Sequence, residues 1–362
     1  PYMSACYLIM AGGTGGHIFP ALATAQTLQK KGDKVLWLGS AGGMETRIVP
    51  RYDIFLHMIA IKGVRGNGLK RKLTLPFILF KTIKEVMQLI KQNNIKGAIG
   101  FGGFVSFPGA IAAKLCGIPL IIHEQNAVAG LSNKILSHIA NRVFFAFPKT
   151  FKDATGCIGN PLRQQLLDQF FTSVEYRFKQ RSGPLRLFIL GGSLGAKIFN
   201  DTLPEIIACL PLEQRPLIHH QCGKSNENEV KKRYAEKQIK AKVFSFITDI
   251  TAEYNWADFV ICRAGALTIA ELTVVGLGGY LIPFPYAVDD HQHYNALHMV
   301  KAGAALCITQ TDFSVKKIAN DITFLTREQC LNWAKSARSL AKLNAAEVLA
   351  DTIKKLNKRV GE

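Results

Sequence analysis

Tyr7-Leu8-Ile9-Met10-Ala11-Gly12-Gly13-Thr14-Gly15-Gly16-His17 runs from an apolar stretch of strand length directly into a glycine turn. A helix pattern follows, so the stretch reads as strand, glycine turn, helix. The same order recurs at Ala98-Ile99 before Gly100-Phe101-Gly102-Gly103, and at Leu187-Phe188-Ile189-Leu190 before Gly191-Gly192-Ser193-Leu194-Gly195. Further apolar strands are expected at Val35-Leu36-Trp37-Leu38, Pro119-Leu120-Ile121-Ile122, Val143-Phe144-Phe145, Phe259-Val260-Ile261-Cys262 and Tyr280-Leu281-Ile282-Pro283. Strands alternating with helices predict an α/β protein whose parallel sheets are covered on both faces. In such sheets ligands bind beyond the carboxyl ends of the strands, where these glycine turns lie.

A chain of 362 residues exceeds what one ordinary core supports, so two domains are expected. The polar stretch Gly159-Asn160-Pro161 and the segment Arg181-Ser182-Gly183-Pro184 bracket a hinge, after which a new strand–glycine–helix unit starts at Leu185. Two similar halves with a cleft between them is the simplest architecture. The hydrophobic share of 48% and charged share of 20% are those of a globular protein. A formal net charge of +19 suits nucleic acid, anionic lipid or phosphorylated substrates. Part of that charge is local, with nine Lys/Arg and one acid, Glu85, between Lys62 and Lys96. The eight cysteines are scattered without a CxxC pair, which argues against a zinc site or disulfide framework and fits a reducing cytosol. No apolar run approaches the roughly 20 residues that span a bilayer, so work at a membrane is expected from its surface.

Each glycine turn offers backbone N–H groups at a helix N-terminus, a site suited to phosphate. Neither the GxGxxG spacing nor GxxxxGK[ST] is present, which disfavours a dinucleotide fold and a P-loop NTPase. A turn required only for tight packing is the competing reading. His17 falls at the start of the first helix, where the dipole opposes a charged imidazolium; a neutral ring could accept a proton. It is a candidate general base, although a lone histidine is more often structural. His123-Glu124-Gln125-Asn126 follows a buried strand, and four such side chains are costly there unless paired or functional. In Arg263-Ala264-Gly265-Ala266-Leu267-Thr268-Ile269-Ala270-Glu271, small residues admit a ligand, Thr268 can donate to phosphate, and Glu271 can take a ribose diol. Thr268 to Glu271 also has capping-box spacing. His291-x-His293 is a weak metal set, and no Asp-x-Asp occurs, so no metal site is assigned.

Lys70-Arg71-Lys72 precedes Leu73-Thr74-Leu75-Pro76-Phe77-Ile78-Leu79-Phe80 and a helix continuing to about Ile90. Leu79, Phe80, Ile83, Val86, Met87 and Ile90 form one stripe, read as core. Phe77 and Ile78 fall off it beside Lys81, and Leu75 lies in the approach. Apolar side chains ringed by cations suit an anchor in anionic lipid; a loop packed on its own domain is the alternative.

The block Gly12-Gly13-Thr14-Gly15-Gly16-His17-Ile18-Phe19-Pro20-Ala21-Leu22-Ala23 closely resembles the N-terminal signature of the MurG family of bacterial N-acetylglucosaminyltransferases. The resemblance continues through Gly102-Gly103-Phe104-Val105-Ser106, His123-Glu124-Gln125-Asn126, Gly159-Asn160-Pro161-Leu162-Arg163, Gly191-Gly192-Ser193-Leu194-Gly195-Ala196, Cys262 to Thr268 and Gln292-x-x-Asn295-Ala296. Leu194 departs from it where relatives often carry Gln, and Phe107 where Gly is common.

The resemblance implies the GT-B fold, two Rossmann-like domains: 1–162 with 344–362 facing acceptor and membrane, and 163–343 binding the UDP-sugar. The last helix, about Asn344 to Lys358, would return to the first domain. The implied reaction moves N-acetylglucosamine from UDP, with inversion, to the C4 hydroxyl of N-acetylmuramoyl-pentapeptide on undecaprenyl diphosphate, at the cytoplasmic face of the inner membrane. Thr14, Gly15 and Gly16 would lie at the donor sugar and the cleft, Asn126 at the N-acetylglucosamine, and Arg163 and Ser193 near the nucleotide phosphates. Ile247 would meet uracil by its backbone. Ala266, Leu267 and Thr268 would approach the diphosphate, with Ile269 and Ala270 completing the binding stretch to Glu271 at the ribose, and Gln292 would meet sugar hydroxyls. Gly102, Gly103 and Phe104 would meet the acceptor diphosphate. His17 is the first choice of base, with Glu124 behind it. Lys70, Arg71, Lys72, Leu75, Phe77, Ile78 and Lys81 would contact the membrane. No cofactor is required on this reading, with room for stimulation by a divalent cation.

The nearest rivals are another GT-B transferase or a UDP-sugar epimerase, which would carry extra carboxylates and need no lipid. A basic RNA-binding protein would leave the glycine turns and Glu271 without a role.

Overall fold

In the computed structural model the chain parts into two compact units, Pro1–Arg163 with Leu343–Glu362 and Gln164–Lys342. The structure describes residues 4–60, 69–192 and 194–360. The first unit carries six parallel strands: β1 (Cys6–Met10), β2 (Lys34–Ser40), β3 (Phe55–Ile59), β4 (Ile95–Gly100), β5 (Leu120–Glu124) and β6 (Arg142–Phe145). They lie in the order β3-β2-β1-β4-β5-β6.

Side chains alternate across a strand, so one continuous apolar run feeds two cores. Tyr7, Ile9, Trp37, Ile99 and Ile121 face one cluster, closed by Leu349, Ala350 and Ile353 of the last helix, Ala345–Val360. Leu8, Met10, Leu36, Leu38, Leu120 and Ile122 face the other, closed by Val86, Leu89 and Ile90 of helix Leu69–Gln92. The last helix is pinned by Lys31, whose Nζ lies 2.7 Å from Glu347 and 2.9 Å from Asp351. Lys354 pairs with the nearly buried Asp33.

Helix Leu69–Gln92 corrects one expectation. Phe80, read as core, is 69% exposed beside Phe77 at 73%, while Ile78, read as exposed, packs against the second cluster. The buried stripe runs through Thr82, Val86 and Leu89. At 100° per residue, Phe80 lies about 200° from Thr82, whereas Ile78 lies about 40° from it.

The second unit repeats the plan with β7 (Arg186–Leu190), β8 (Leu217–Gln221), β9 (Ala241–Phe244), β10 (Phe259–Cys262), β11 (Gly279–Leu281) and β12 (Ala305–Cys307). Its order is β12-β11-β10-β7-β8-β9, the same succession read from the other edge. Residues before β7 belong to this core: helix Val174–Lys179 contributes Val174 and Phe178. In both sheets the strand order reverses beside the first strand, between β1 and β4 and between β7 and β10. Ligands of open parallel sheets bind at that crevice. The glycine turns follow these strands in each unit.

Candidate active site

In the first unit, the turn after β1 leads into helix Gly15–Lys30, with Thr14 extended at its N-cap and His17 third in the helix. The turn after β4 is stacked against it backbone to backbone. Gly103 has φ 79°, and a Cβ there would lie 2.4 Å from the Gly12 carbonyl oxygen. Ser106 Oγ fastens this second turn, accepting from the Gly102 N–H at 3.1 Å and lying 3.0 Å from the Met10 carbonyl oxygen. Gly13, Thr14, Gly16 and Phe104 are exposed, so the paired turns form an open shelf.

Beneath the shelf lies Glu45, fully buried, which sequence reading missed. Its Oε1 accepts from Ser40 N and Oγ, both at 2.7 Å, and its Oε2 accepts from Gly13 N at 3.3 Å. The signal available was the glycine cluster on either side of Ser40, at Gly39, Gly42 and Gly43, which makes room for a carboxylate.

β5 extends through His123 and Glu124, beyond the Ile122 end expected from apolarity. All three of His123, Glu124 and Gln125 are buried and are kept there by pairing. His123 Nε2 lies 2.8 Å from the Gly159 carbonyl oxygen, and its Nδ1 lies 3.1 Å from Gln125 Nε2. Gln125 Oε1 lies 2.9 Å from His17 Nδ1. Burial pushes the His123 imidazole down to about 4, so it is neutral near neutral pH. Glu124 has both oxygens engaged: Oε1 accepts from Asn126 N at 3.0 Å, and Oε2 accepts from Gly130 N at 3.1 Å and Asn133 Nδ2 at 2.8 Å. The structure thus brings Thr14, Gly15, Gly16 and His17 together with Gly102 and Gly103, and places Glu124 in the organisation of the 126–130 loop that holds Asn126, tied to Asn133 of helix Leu131–Leu136.

In the second unit, helix Ala266–Val275 begins directly after the Arg263-Ala264-Gly265 turn. It has no side-chain cap at Gly265 and no acid in its first turn. Its orphan N–H groups and dipole therefore favour an anion. The opposite end is neutralised: Arg177 Nη1 donates to the Val275 carbonyl at 2.9 Å, and Arg338 Nη2 to the same oxygen at 2.7 Å. Thr268 lies inside this helix, which rules out the capping-box reading of Thr268 and Glu271. The turn itself is braced by Arg263, donating to the Ile282 carbonyl at 3.2 Å and to Gln310 Oε1 at 2.7 Å, and by buried Asn295, donating to the Ala264 carbonyl at 3.2 Å.

Glu271 is half-buried, and its Oε2 accepts from the Tyr254 hydroxyl at 2.8 Å. Gln292 Oε1 accepts from Phe284 N at 2.9 Å, joining helix His291–Lys301 to the loop after β11. Ile247 sits half-buried between β9 and helix Ile250–Trp256. Ile247, Ala266 to Glu271 and Gln292 thus all follow carboxyl ends of strands in one sheet. Arg163 is exposed at the end of the first unit's main segment. Ser193 and the side chains of Lys70, Arg71 and Lys72 lie outside the described residues. Among the described residues, no three or more His, Cys, Asp or Glu gather to hold a metal ion, and no helix is long and apolar enough to cross a membrane.

Residues 7–145 match the glycosyltransferase family 28 N-terminal domain, and residues 186–353 match its C-terminal domain. The chain is 51% identical over 345 residues to the UDP-N-acetylglucosamine–N-acetylmuramyl-(pentapeptide) pyrophosphoryl-undecaprenol N-acetylglucosamine transferase of Neisseria meningitidis serogroup A, covering 95% of this chain and 97% of that one. It is 46% identical to the transferase of the same name from Marinobacter nauticus, covering 94% of each chain. Among solved structures, the crystal structure of Acinetobacter baumannii MurG is similar at 40% identity and TM-score 0.85, covering 97% of this chain and 99% of that one. The UDP-GlcNAc 2-epimerase from Neisseria meningitidis shares the fold, with TM-score 0.65 at 12% identity over 97% of this chain and 100% of that one.

Proposed function

The chain belongs to glycosyltransferase family 28, and on that premise we propose that it transfers N-acetylglucosamine from UDP-N-acetylglucosamine to undecaprenyl-diphosphate-linked N-acetylmuramoyl-pentapeptide. This converts lipid I to lipid II in peptidoglycan synthesis. The observation that carries the reading is the 51% identity, along 95% of the chain, to a transferase named for that donor and acceptor. On this reading each chemical task falls to a named residue.

The acceptor 4-hydroxyl oxygen attacks the anomeric carbon of the donor, and the bond from that carbon to the UDP oxygen breaks. Inversion follows from this single displacement. His17 takes the hydroxyl proton. The first turn of helix Ala266–Val275 meets the diphosphate charge through its N–H groups, the preorganised stabilisation that favours a leaving anion. Glu271 accepts from the ribose hydroxyls, and Gln292 and Asn126 serve the sugar. The shelf of Gly102 and Gly103 receives the acceptor diphosphate. His17 is preferred to Glu124 as base because both Glu124 oxygens already hold the loop. No cofactor enters this scheme; titration with a chelator and with divalent cations checks it.

The proposed location is the cytoplasmic face of the inner membrane. In support, Phe77 and Phe80 project from helix Leu69–Gln92 beside exposed Lys81 and Lys84. Cations near an anionic surface contribute about 1 kcal/mol each. The variant Phe77→Ser/Phe80→Ser/Lys81→Ser is expected to leave anionic vesicles while retaining activity on a short-chain acceptor. Sedimentation equal to wild type contradicts the docking reading.

The function itself is tested by UDP release with and without a lipid-diphosphate acceptor. Release that needs the acceptor and yields the disaccharide-bearing lipid is expected. Acceptor-independent release, or recovery of an epimerised sugar, overturns it.

A further inference from the structure

The hydrogen bonds behind His17 form a chain whose donors and acceptors can be assigned from one end. The Gly159 carbonyl can only accept, so His123 Nε2, at 2.8 Å, carries a proton. The ring is fully buried and neutral, which leaves its Nδ1 as an acceptor. Gln125 Nε2 lies 3.1 Å from that nitrogen and also 3.1 Å from the His123 carbonyl oxygen. Two acceptors on one side fix the amide with its NH2 group there. Its Oε1 must therefore face His17 Nδ1, at 2.9 Å, and an amide oxygen can only accept. His17 accordingly holds its proton on Nδ1, and its lone pair lies on Nε2.

We infer that Gln125, locked by His123 and the Gly159 carbonyl, is a positioning residue that selects the Nδ1–H tautomer of His17 and presents Nε2 as the proton acceptor. This rests on the reading of His17 as the base. The Gln125 backbone is held as well, because Asn160 Nδ2 donates to its carbonyl at 3.2 Å. Rotation of the side-chain amide would break its bonds to His123 Nδ1, to the His123 carbonyl and to His17 Nδ1. A histidine free to exchange tautomers would spend part of its time with Nε2 protonated and unable to act. In a serine-protease triad, loss of the correct tautomer is one of the larger single penalties known.

Two substitutions separate positioning from packing. Gln125→Met keeps the length of the side chain and removes both polar ends. Gln125→Glu, protonated in its buried site, keeps an oxygen for His17 Nδ1–H and an O–H for His123 Nδ1. The tautomer is read by long-range proton–nitrogen correlation spectra of histidine-labelled protein, with unfolding and UDP binding as controls for the fold. The wild type and Gln125→Glu are expected to carry the His17 proton on Nδ1. Gln125→Met is expected to show the Nε2–H form, with turnover reduced at least roughly tenfold and the Michaelis constant for donor unchanged. Wild-type His17 protonated on Nε2, or an unchanged tautomer in Gln125→Met, overturns the inference. A shifted tautomer with undiminished turnover overturns instead the role of His17 as base.

Discussion

The hydroxyl of Tyr254 donates to Oε2 of Glu271 at 2.8 Å. Tyr254 is fully buried, with its ring edge-on to Phe188 at 5.8 Å, so the phenol holds the carboxylate in a set direction. Glu271→Ala is expected to weaken UDP binding by roughly 1.5–3 kcal/mol, the range for a hydrogen bond to a charged group. Tyr254→Phe removes only the positioning contact and should cost about 0.5–1.5 kcal/mol. Calorimetry on folded protein checks both; unchanged UDP affinity in Glu271→Ala sinks the ribose assignment.

Gly102 backs onto the imidazole of His17. Its φ is 103°, and a Cβ there would lie 2.8 Å from His17 Cε1. Gly102→Ala must therefore push the ring away or reshape the turn. Turnover is expected to fall roughly tenfold or more, since small misplacement of a reacting group is costly, while donor affinity measured by calorimetry stays at the wild-type value.

Each unit hides a neutral histidine: burial pushes His123 down to about 4 and His220 to about 3, against an ordinary value of 6.5. Between those values the unfolded chain binds protons that the folded units refuse. Stability is therefore full above about pH 6.5 and falls as the pH drops toward 4. His123 alone should account for about 3 kcal/mol of that loss. Denaturant midpoints followed from pH 8 to below 5 check this, and His220→Asn should flatten the part belonging to the second unit. A profile that is level through this range contradicts it.

The strands buried on both faces were legible because hydrophobic runs such as Leu8-Ile9-Met10 and Val260-Ile261-Cys262 have no other use. β3 and β8 were not. Phe55 and Met58 of β3 are exposed at a sheet edge, and β8 buries His219, His220 and Gln221, which read as polar. The glycine turns and Glu271 were visible as motifs. The Gln125–His123 chain was hidden, since its anchor at Gly159 is 36 residues from His123 and pairing of that kind leaves no periodic trace. Glu45 was hidden in the same way, 32 residues from the Gly13 N–H it serves.

The central claim is that His17 removes the acceptor proton during transfer, and pre-steady-state turnover of His17→Ala at saturating donor and acceptor measures it most directly. A loss of roughly 100-fold or more is expected, in line with removal of a general base, with UDP-sugar affinity close to wild type. Wild-type turnover in that variant, or a defect confined to the Michaelis constant, contradicts the claim and makes His17 a binding residue.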